Sequence, residues 1–353
     1  MAATPSRPDA RRRRGTLIAA SIMLLAVQVD FFALNLALPD MARDLAVTIA
    51  DLQWVLSAFM IAVAASFIVA GRIGDILGRK RVLLVAATLF GVASLAGGLA
   101  PDEGVLIGAR FVQGIGAAGM ITVGIATVTN AFPAERVGAA IGIVYTAGGV
   151  GSALGPLVGG VLTTFVSWRL VLLVNVPLMV VLIAIIIRSV DESRDESAPR
   201  RIDLPGLILI AAGLSLATFG VDSAQSEGWS SARTIAPIVA GVALLAAFVG
   251  VERRVRFPLV DLRLFRNHPF VVVMLAGGVA QLPWVGTIFL SAIYLQDVRG
   301  LSAATAGVVF LPLSVGAAVA GNEYPRRIHL GENQLTGALP PEWGALDHIE
   351  QIS

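Results

Sequence analysis

Two ionisable residues stand where the chain has almost no other polarity. Asp30 interrupts the apolar run from Thr16 to Leu38, with only Gln28 and Asn35 for polar company, and Arg110 is the one charge between Gly104 and Val128. About 20 apolar residues cross the hydrocarbon core of a bilayer, so both read as charges inside a membrane. An acid at a helix centre costs about 2.5 to 3.5 kcal/mol on insertion scales, so Asp30 is expected to face a polar cavity, take up a proton or pair with a cation. Burial favours the neutral acid and a cation favours the carboxylate, and that competition is what a reversible proton carrier needs. At about 1.5 Å per residue, Asp30 lies roughly 12 Å below the outer end of its span and Arg110 roughly 9 Å below the start of its own. Similar depths make Arg110 the expected partner. Each residue also has a plainer reading: Asp30 as an acid that serves packing alone, and Arg110 as a side chain snorkelling to the outer headgroups.

Other chemistries are excluded by composition. The 353 residues include no cysteine, which removes disulfides, thiolate metal sites and cysteine nucleophiles. The three histidines (His268, His329 and His348) form no ligand cluster, and nothing resembles a Walker loop that would bind ATP. No cofactor, no metal and no nucleic-acid partner is expected. Apolar residues make up 56% and charged residues 14%, against about 25% charged in soluble domains. Such a chain is an all-α polytopic membrane protein whose partner is the lipid bilayer.

Ten spans fit the apolar runs: 16–38, 53–70, 82–100, 104–128, 138–164, 169–187, 204–221, 235–251, 269–295 and 303–321. With the N-terminus in the cytoplasm, 19 of the 26 Lys and Arg fall in inside segments and four in outside loops, which sets the expected orientation by the positive-inside rule. The segments then read as a basic tail (1–15), a six-helix bundle (16–188), a cytoplasmic linker (189–203), an inserted two-span hairpin (204–251), a second linker (252–268), the opening of another bundle (269–321) and a polar tail (322–353).

Three motifs go beyond this layout. Between spans 2 and 3 runs Gly71-Arg-Ile-Gly-Asp75-Ile-Leu-Gly78-Arg79-Lys80-Arg81, expected as a tight hairpin loop. Span 4 carries Arg110-x-x-Gln113-Gly114-x-Gly116-Ala117-Ala118, with small residues that let a neighbouring helix approach closely. Span 5 carries Gly151-Ser-Ala-Leu-Gly155-Pro156-x-x-Gly159-Gly160, in which a proline kinks the helix and the glycines form a flat face. Together these resemble the major facilitator superfamily of secondary transporters. The span-5 motif, the inserted hairpin and the linker around Pro258 to Phe265 resemble its fourteen-span drug:proton antiporter branch. The words around Asp30 resemble that branch's first-span motif, with Phe32 where threonine is usual.

The resemblance implies a major facilitator fold: a complete six-helix bundle, two inserted spans and the first two helices of a second bundle, with four more helices expected beyond Gly321. It implies a plasma-membrane, multi-pass monomer that exports cationic or amphipathic molecules, driven by the proton gradient with Asp30 and Arg110 coupling protons. It also implies that Asp75 and the neighbouring Gly71, Gly78, Arg79 and Lys80 latch the two bundles together, and that the span-5 helix leans on the opposing bundle. Phe32, Asn35, Trp54, Gln281 and Trp284 are candidates for the substrate cavity. Trp168-Arg169 with Asn175 resembles the start of span 6 in the same branch and is expected to anchor the outer interface. From Ile328 to Leu346 the tail instead looks like a single leucine-rich repeat, which cannot bury its own apolar face. Two other readings stay open: a non-transporting membrane fragment or fusion whose tail binds a partner, and a symporter of metabolites.

Overall fold

The computed structural model describes residues 10–194, 203–255, 258–260, 262–301, 305 and 309. Helices account for most of them: α1 (Ala10–Leu45), α2 (Ile49–Leu77), α3 (Arg79–Gly98), α4 (Glu103–Ala131), α5 (Ala134–Phe165), α6 (Arg169–Leu173), α7 (Asn175–Ser189), α8 (Leu204–Glu227), α9 (Ala232–Glu252) and α10 (His268–Ile293). No strand occurs among the described residues.

Several of these helices begin on a residue suited to cap them. Thr48 and Asp51 form a capping box on α2, Asp102 accepts from the Val105 N–H of α4, Asp203 from Gly206 of α8, and Asn267 from Phe270 of α10. Each satisfies a backbone donor that the first turn of a helix leaves over.

Helices α1 to α7 pack around two apolar clusters. One centres on Met23, Leu83, Phe90, Met120 and Leu182, the other on Leu34, Met41, Leu52, Leu106 and Leu172. α1 lies along α5, α4 is gripped between α2 and α3, and α7 closes on α1 and α3. The α8–α9 hairpin rests on α2, where Ser57 Oγ donates to Asp222 at 2.7 Å and the Trp54 and Phe219 rings lie 5.2 Å apart. Among the described residues, eight helical segments, α6 and α7 counting as one, are long and apolar enough to cross a membrane. Val174 keeps helical backbone angles between α6 and α7, so the sixth span is hardly interrupted. α10 stands where the ninth span was expected. The tenth span (303–321) and the repeat-like tail (322–353) lie outside the described residues, apart from 305 and 309.

Several sequence expectations need correction. The helix that carries the span expected at 16–38 is longer than the span: α1 runs for 36 residues, about 54 Å, with Pro39 inside it. Its polar ends are helical too, and so extend beyond the apolar stretch that marked the span. The expected hairpin loop at 71–81 is helix on both sides of Gly78. Gly71, Gly74 and Asp75 belong to α2, and the turn is made by Gly78 alone at φ 111°, a conformation open to glycine and strained for other residues. The span-5 glycines face α1 of the same bundle: a Cβ at Gly151 would sit 2.6 Å from the Leu25 carbonyl, one at Gly155 2.6 Å from Phe32 Cβ, and one at Gly159 would collide with the Ala33 carbonyl. Gly160 is buried beside them, and Pro156 sits within α5 without ending it. Finally, Trp168 is turned inward. Its ring N–H donates to Asp44 at 3.0 Å, and Arg169 stacks on the ring while reaching Asp44 at 3.1 Å and the Ala100 carbonyl at 3.2 Å.

A paired substitution tests the α2–α3 turn. Gly78→Ala requires an unfavourable backbone angle and puts a methyl 2.6 Å from the Glu192 carboxylate, so it is expected to cost about 1 to 3 kcal/mol. Gly71→Ala meets nothing within 4 Å in mid-helix and is expected to stabilise by about 0.5 to 1 kcal/mol. Thermal unfolding of the two variants in detergent should separate in opposite directions from the parent.

Candidate functional site

Four helices deliver polar side chains to one point in the bundle. Asp30 comes from the middle of α1, Arg110 and Gln113 from successive turns of α4, Ser94 from α3 and Asn175 from the first turn of α7. Asp30, Arg110, Gln113 and Ser94 are 0% exposed and Asn175 is 1% exposed. α4 comes close enough to α2 and α3 because its inner face is small. A Cβ at Gly114 would meet the Phe59 carbonyl at 2.5 Å, and one at Gly116 the Ala86 carbonyl at 2.8 Å.

The carboxylate of Asp30 accepts three hydrogen bonds. Arg110 Nη1 donates to Oδ2 at 2.5 Å, while Gln113 Nε2 and Asn175 Nδ2 donate to Oδ1 at 2.9 and 2.7 Å. Gln113 Oε1 accepts a second bond from Arg110 Nη1 at 2.7 Å, and Arg110 Nε reaches the Val55 carbonyl of α2 at 3.3 Å. The guanidinium carbon lies 4.2 Å from the centre of the Phe59 ring, a distance at which the negative face of the ring attracts a cation. Ser94 closes the network by accepting from Gln113 and Asn175 at 3.1 and 3.0 Å and donating to the Leu172 carbonyl at 2.9 Å. Arg110 Nη2 is buried with no hydrogen-bond partner among the described residues.

The expected partnership of Asp30 with Arg110 is thus a direct ion pair, and the arginine points into the bundle instead of snorkelling outward. In place of the expected polar cavity, protein donors surround Asp30: Arg110, Gln113 and Asn175 bond to the carboxylate, and Ser94 accepts from the last two. Gln113 was singled out from the sequence for its motif, whereas Ser94 was not. Its signal was a hydroxyl, one of two with Thr88, inside an otherwise apolar span.

Other candidate residues are dispersed. Phe32 lies edge-on to Phe31, with ring centres 5.2 Å apart, against Gly155 of α5, and the Asn35 amide bonds back to the Phe31 carbonyl of its own helix at 3.0 Å. Trp54 packs on α8. Gln281 and Trp284 lie on α10, and their side chains are outside what is described. At the α2–α3 turn, Asp75 pairs with Arg79 at 2.8 Å. Lys80 Nζ donates to the Ile187 carbonyl at 2.8 Å, the Lys80 N–H to Glu192 at 3.0 Å and the Arg79 N–H to the Ser193 carbonyl at 2.8 Å. These partners belong to α2, α7 and the residues just after α7. Any partner from a second bundle falls outside the described residues.

Residues 20–330 match the family model of the Major Facilitator Superfamily. The chain is 37% identical over 328 residues to the puromycin resistance protein pur8 of Streptomyces alboniger, covering 91% of this chain and 63% of that protein. It is 34% identical over 305 residues to the multidrug resistance protein Stp of Mycobacterium tuberculosis (86% and 57% covered). It is 38% identical over 346 residues to the cephamycin export protein CmcT of Amycolatopsis lactamdurans (94% and 70% covered). Among solved structures, the peptide transporter POT superposes with a TM-score of 0.60 at 15% identity, covering 90% of this chain and 69% of that one. The human organic anion transporter MFSD10 gives 0.57 at 15% identity, with 90% and 74% covered. At that identity the likeness is one of fold. The chain therefore belongs to the Major Facilitator Superfamily, whose members are membrane transport proteins and not enzymes. It spans about three-fifths of the length of the first two of these relatives.

Arg110→Met leaves the Asp30 carboxylate buried without its cation, and is expected to cost about 3 to 5 kcal/mol. The double variant Asp30→Asn with Arg110→Met removes both charges and should recover most of that loss. Thermal unfolding in detergent of the two single variants and the double variant measures the coupling.

Proposed function

We propose that the parent protein is a proton-driven exporter of cationic or amphipathic small molecules that works by alternating access in the cell membrane. The observation that carries this reading is the enclosed Asp30–Arg110 pair. A proton arriving on Asp30 Oδ2 takes the place of the Arg110 donor there. The carboxyl becomes neutral, the guanidinium loses its counter-ion, and the helices that carry the two groups, α1 and α4, are no longer held together by charge. Loss of the proton on the other side of the membrane restores the pair. Gln113 and Asn175 stay on Oδ1 throughout and keep the carboxyl oriented. One charge moving through 100 mV supplies about 2.3 kcal/mol, so few protons sustain a useful gradient.

The names of the relatives, which are resistance and export proteins, support small-molecule efflux as the direction of transport. The span-5 motif and the two inserted helices support the fourteen-span antiporter branch, with the N-terminus in the cytoplasm and no cofactor beyond the proton gradient. Alternating access needs two opposed bundles, so transport belongs to a chain that carries both.

The test uses vesicles bearing the protein, loaded with a fluorescent cationic dye. Efflux should accelerate when an inward proton gradient is imposed and collapse when an uncoupler dissipates it. Asp30→Asn should abolish the gradient-dependent part, a loss of at least about 100-fold if the pair contributes roughly 3 kcal/mol or more, with membrane insertion unchanged. Dye efflux indifferent to the gradient, or normal in Asp30→Asn, overturns the coupling.

A further inference from the structure

The groove between α2 and α3 takes no part in the ion-pair network. Both helices pack along α4 but make few contacts with one another, because Gly78 joins them through a single residue and they splay from there. The space between them is a cavity of about 390 Å³. Ile115 and Gly119 of α4 form its floor, with Val69 and Ile73 of α2 on one side and Val85 and Leu89 of α3 on the other. Val85 is 60% exposed, so the groove opens outward, and around a membrane-spanning bundle that means toward acyl chains. It runs alongside α3 from Arg81 to Leu89, roughly 12 Å, within the half-thickness of about 15 Å that one leaflet offers.

Its mouth carries one cation, Arg81, in an ion pair with Glu192. The Arg81 side chain is 79% exposed and its Nε lies 3.6 Å from Glu192, too far for a hydrogen bond. The neighbouring cations are more firmly occupied, Arg79 on Asp75 and Lys80 on the Ile187 carbonyl. Arg81 therefore has donors free to form a fork on a phosphate. No carboxylate lines the groove, so nothing within it favours a cationic solute.

We propose that this groove binds one acyl chain of an anionic phospholipid, with the lipid phosphate on Arg81. A single apolar channel one leaflet deep, with a guanidinium at headgroup height, matches a lipid in both length and charge. The inference goes beyond the transport reading and does not need it.

Native mass spectrometry of the whole protein in detergent tests it, with palmitoyl-oleoyl phosphatidylglycerol and the matching phosphatidylcholine added separately. The parent should retain one phosphatidylglycerol in preference to phosphatidylcholine. Arg81→Gln should weaken that retention about five-fold, the effect of one basic residue near an anionic lipid surface. Val85→Trp, which fills the groove from its exposed side, should abolish it, while Arg43→Gln at the opposite membrane face should change nothing. Arg81 and Val85 are both exposed, so unchanged thermal unfolding of the variants checks that they fold. Unchanged phosphatidylglycerol retention in either Arg81→Gln or Val85→Trp, or equal retention of phosphatidylcholine, overturns the proposal.

Discussion

The ion pair between Asp30 and Arg110 is the constraint around which the bundle is arranged. Removing a carboxylate or a guanidinium from water carries an effective penalty of several kcal/mol per ion, and mutual attraction offsets it only when further hydrogen bonds satisfy both groups. That requirement reaches into four helices besides α1. α4 must supply Gln113 one turn beyond Arg110, α3 must turn Ser94 inward, α7 must begin with Asn175 at the right depth, and α2 must offer the Val55 carbonyl and the Phe59 ring. A shift of one helix by a single turn would leave a charge unpaired in an apolar core. The pair thus fixes register as well as position, a role for which buried polar groups are best attested.

α5 contributes no group to that network, yet it holds α1 in place from behind. Gly151, Gly155 and Gly159 let two backbones meet where any side chain would collide, and Gln28 of α1 donates to Ser152 of α5 at 2.8 Å across the same contact. Asp30 thus sits among the α1 residues that this face covers, and α1 and α5 are packed backbone to backbone there. A rearrangement that separates Asp30 from Arg110 has to carry α5 along or slide α1 over its glycine face.

Much of this was legible in the sequence because lipid makes intramembrane charge conspicuous. Asp30 and Arg110 stood out, and an estimate of depth alone suggested that they meet. The glycine motif announced a close contact and by resemblance pointed to the opposing bundle, whereas its glycines meet α1, since a flat face reads the same against either. Helix ends were misjudged for a similar reason: hydropathy marks where apolar residues stop, and neither α1 nor α2 stops there. Arg11 to Arg14 are charged, and Gly71 to Leu77 mix glycines and charges with Ile73, Ile76 and Leu77, yet both stretches are helical. Ser94 went unnoticed because one hydroxyl in an apolar span usually bonds back to its own helix, as Thr122 does at 2.7 Å. Only its neighbours in space reveal that it serves another pair of helices.

The residues just after α7 are tied to the bundle. Asp191 pairs with Arg12, Glu192 accepts from the Lys80 N–H, and the Ser193 carbonyl accepts from Arg79. Where Gly78 lacks a methyl group, the Glu192 carboxylate fills the space. Anyone dividing the gene to express the halves as separate polypeptides should therefore cut downstream of Ser193, since a break at the end of α7 would leave the first fragment without the clasp on its own α2–α3 corner.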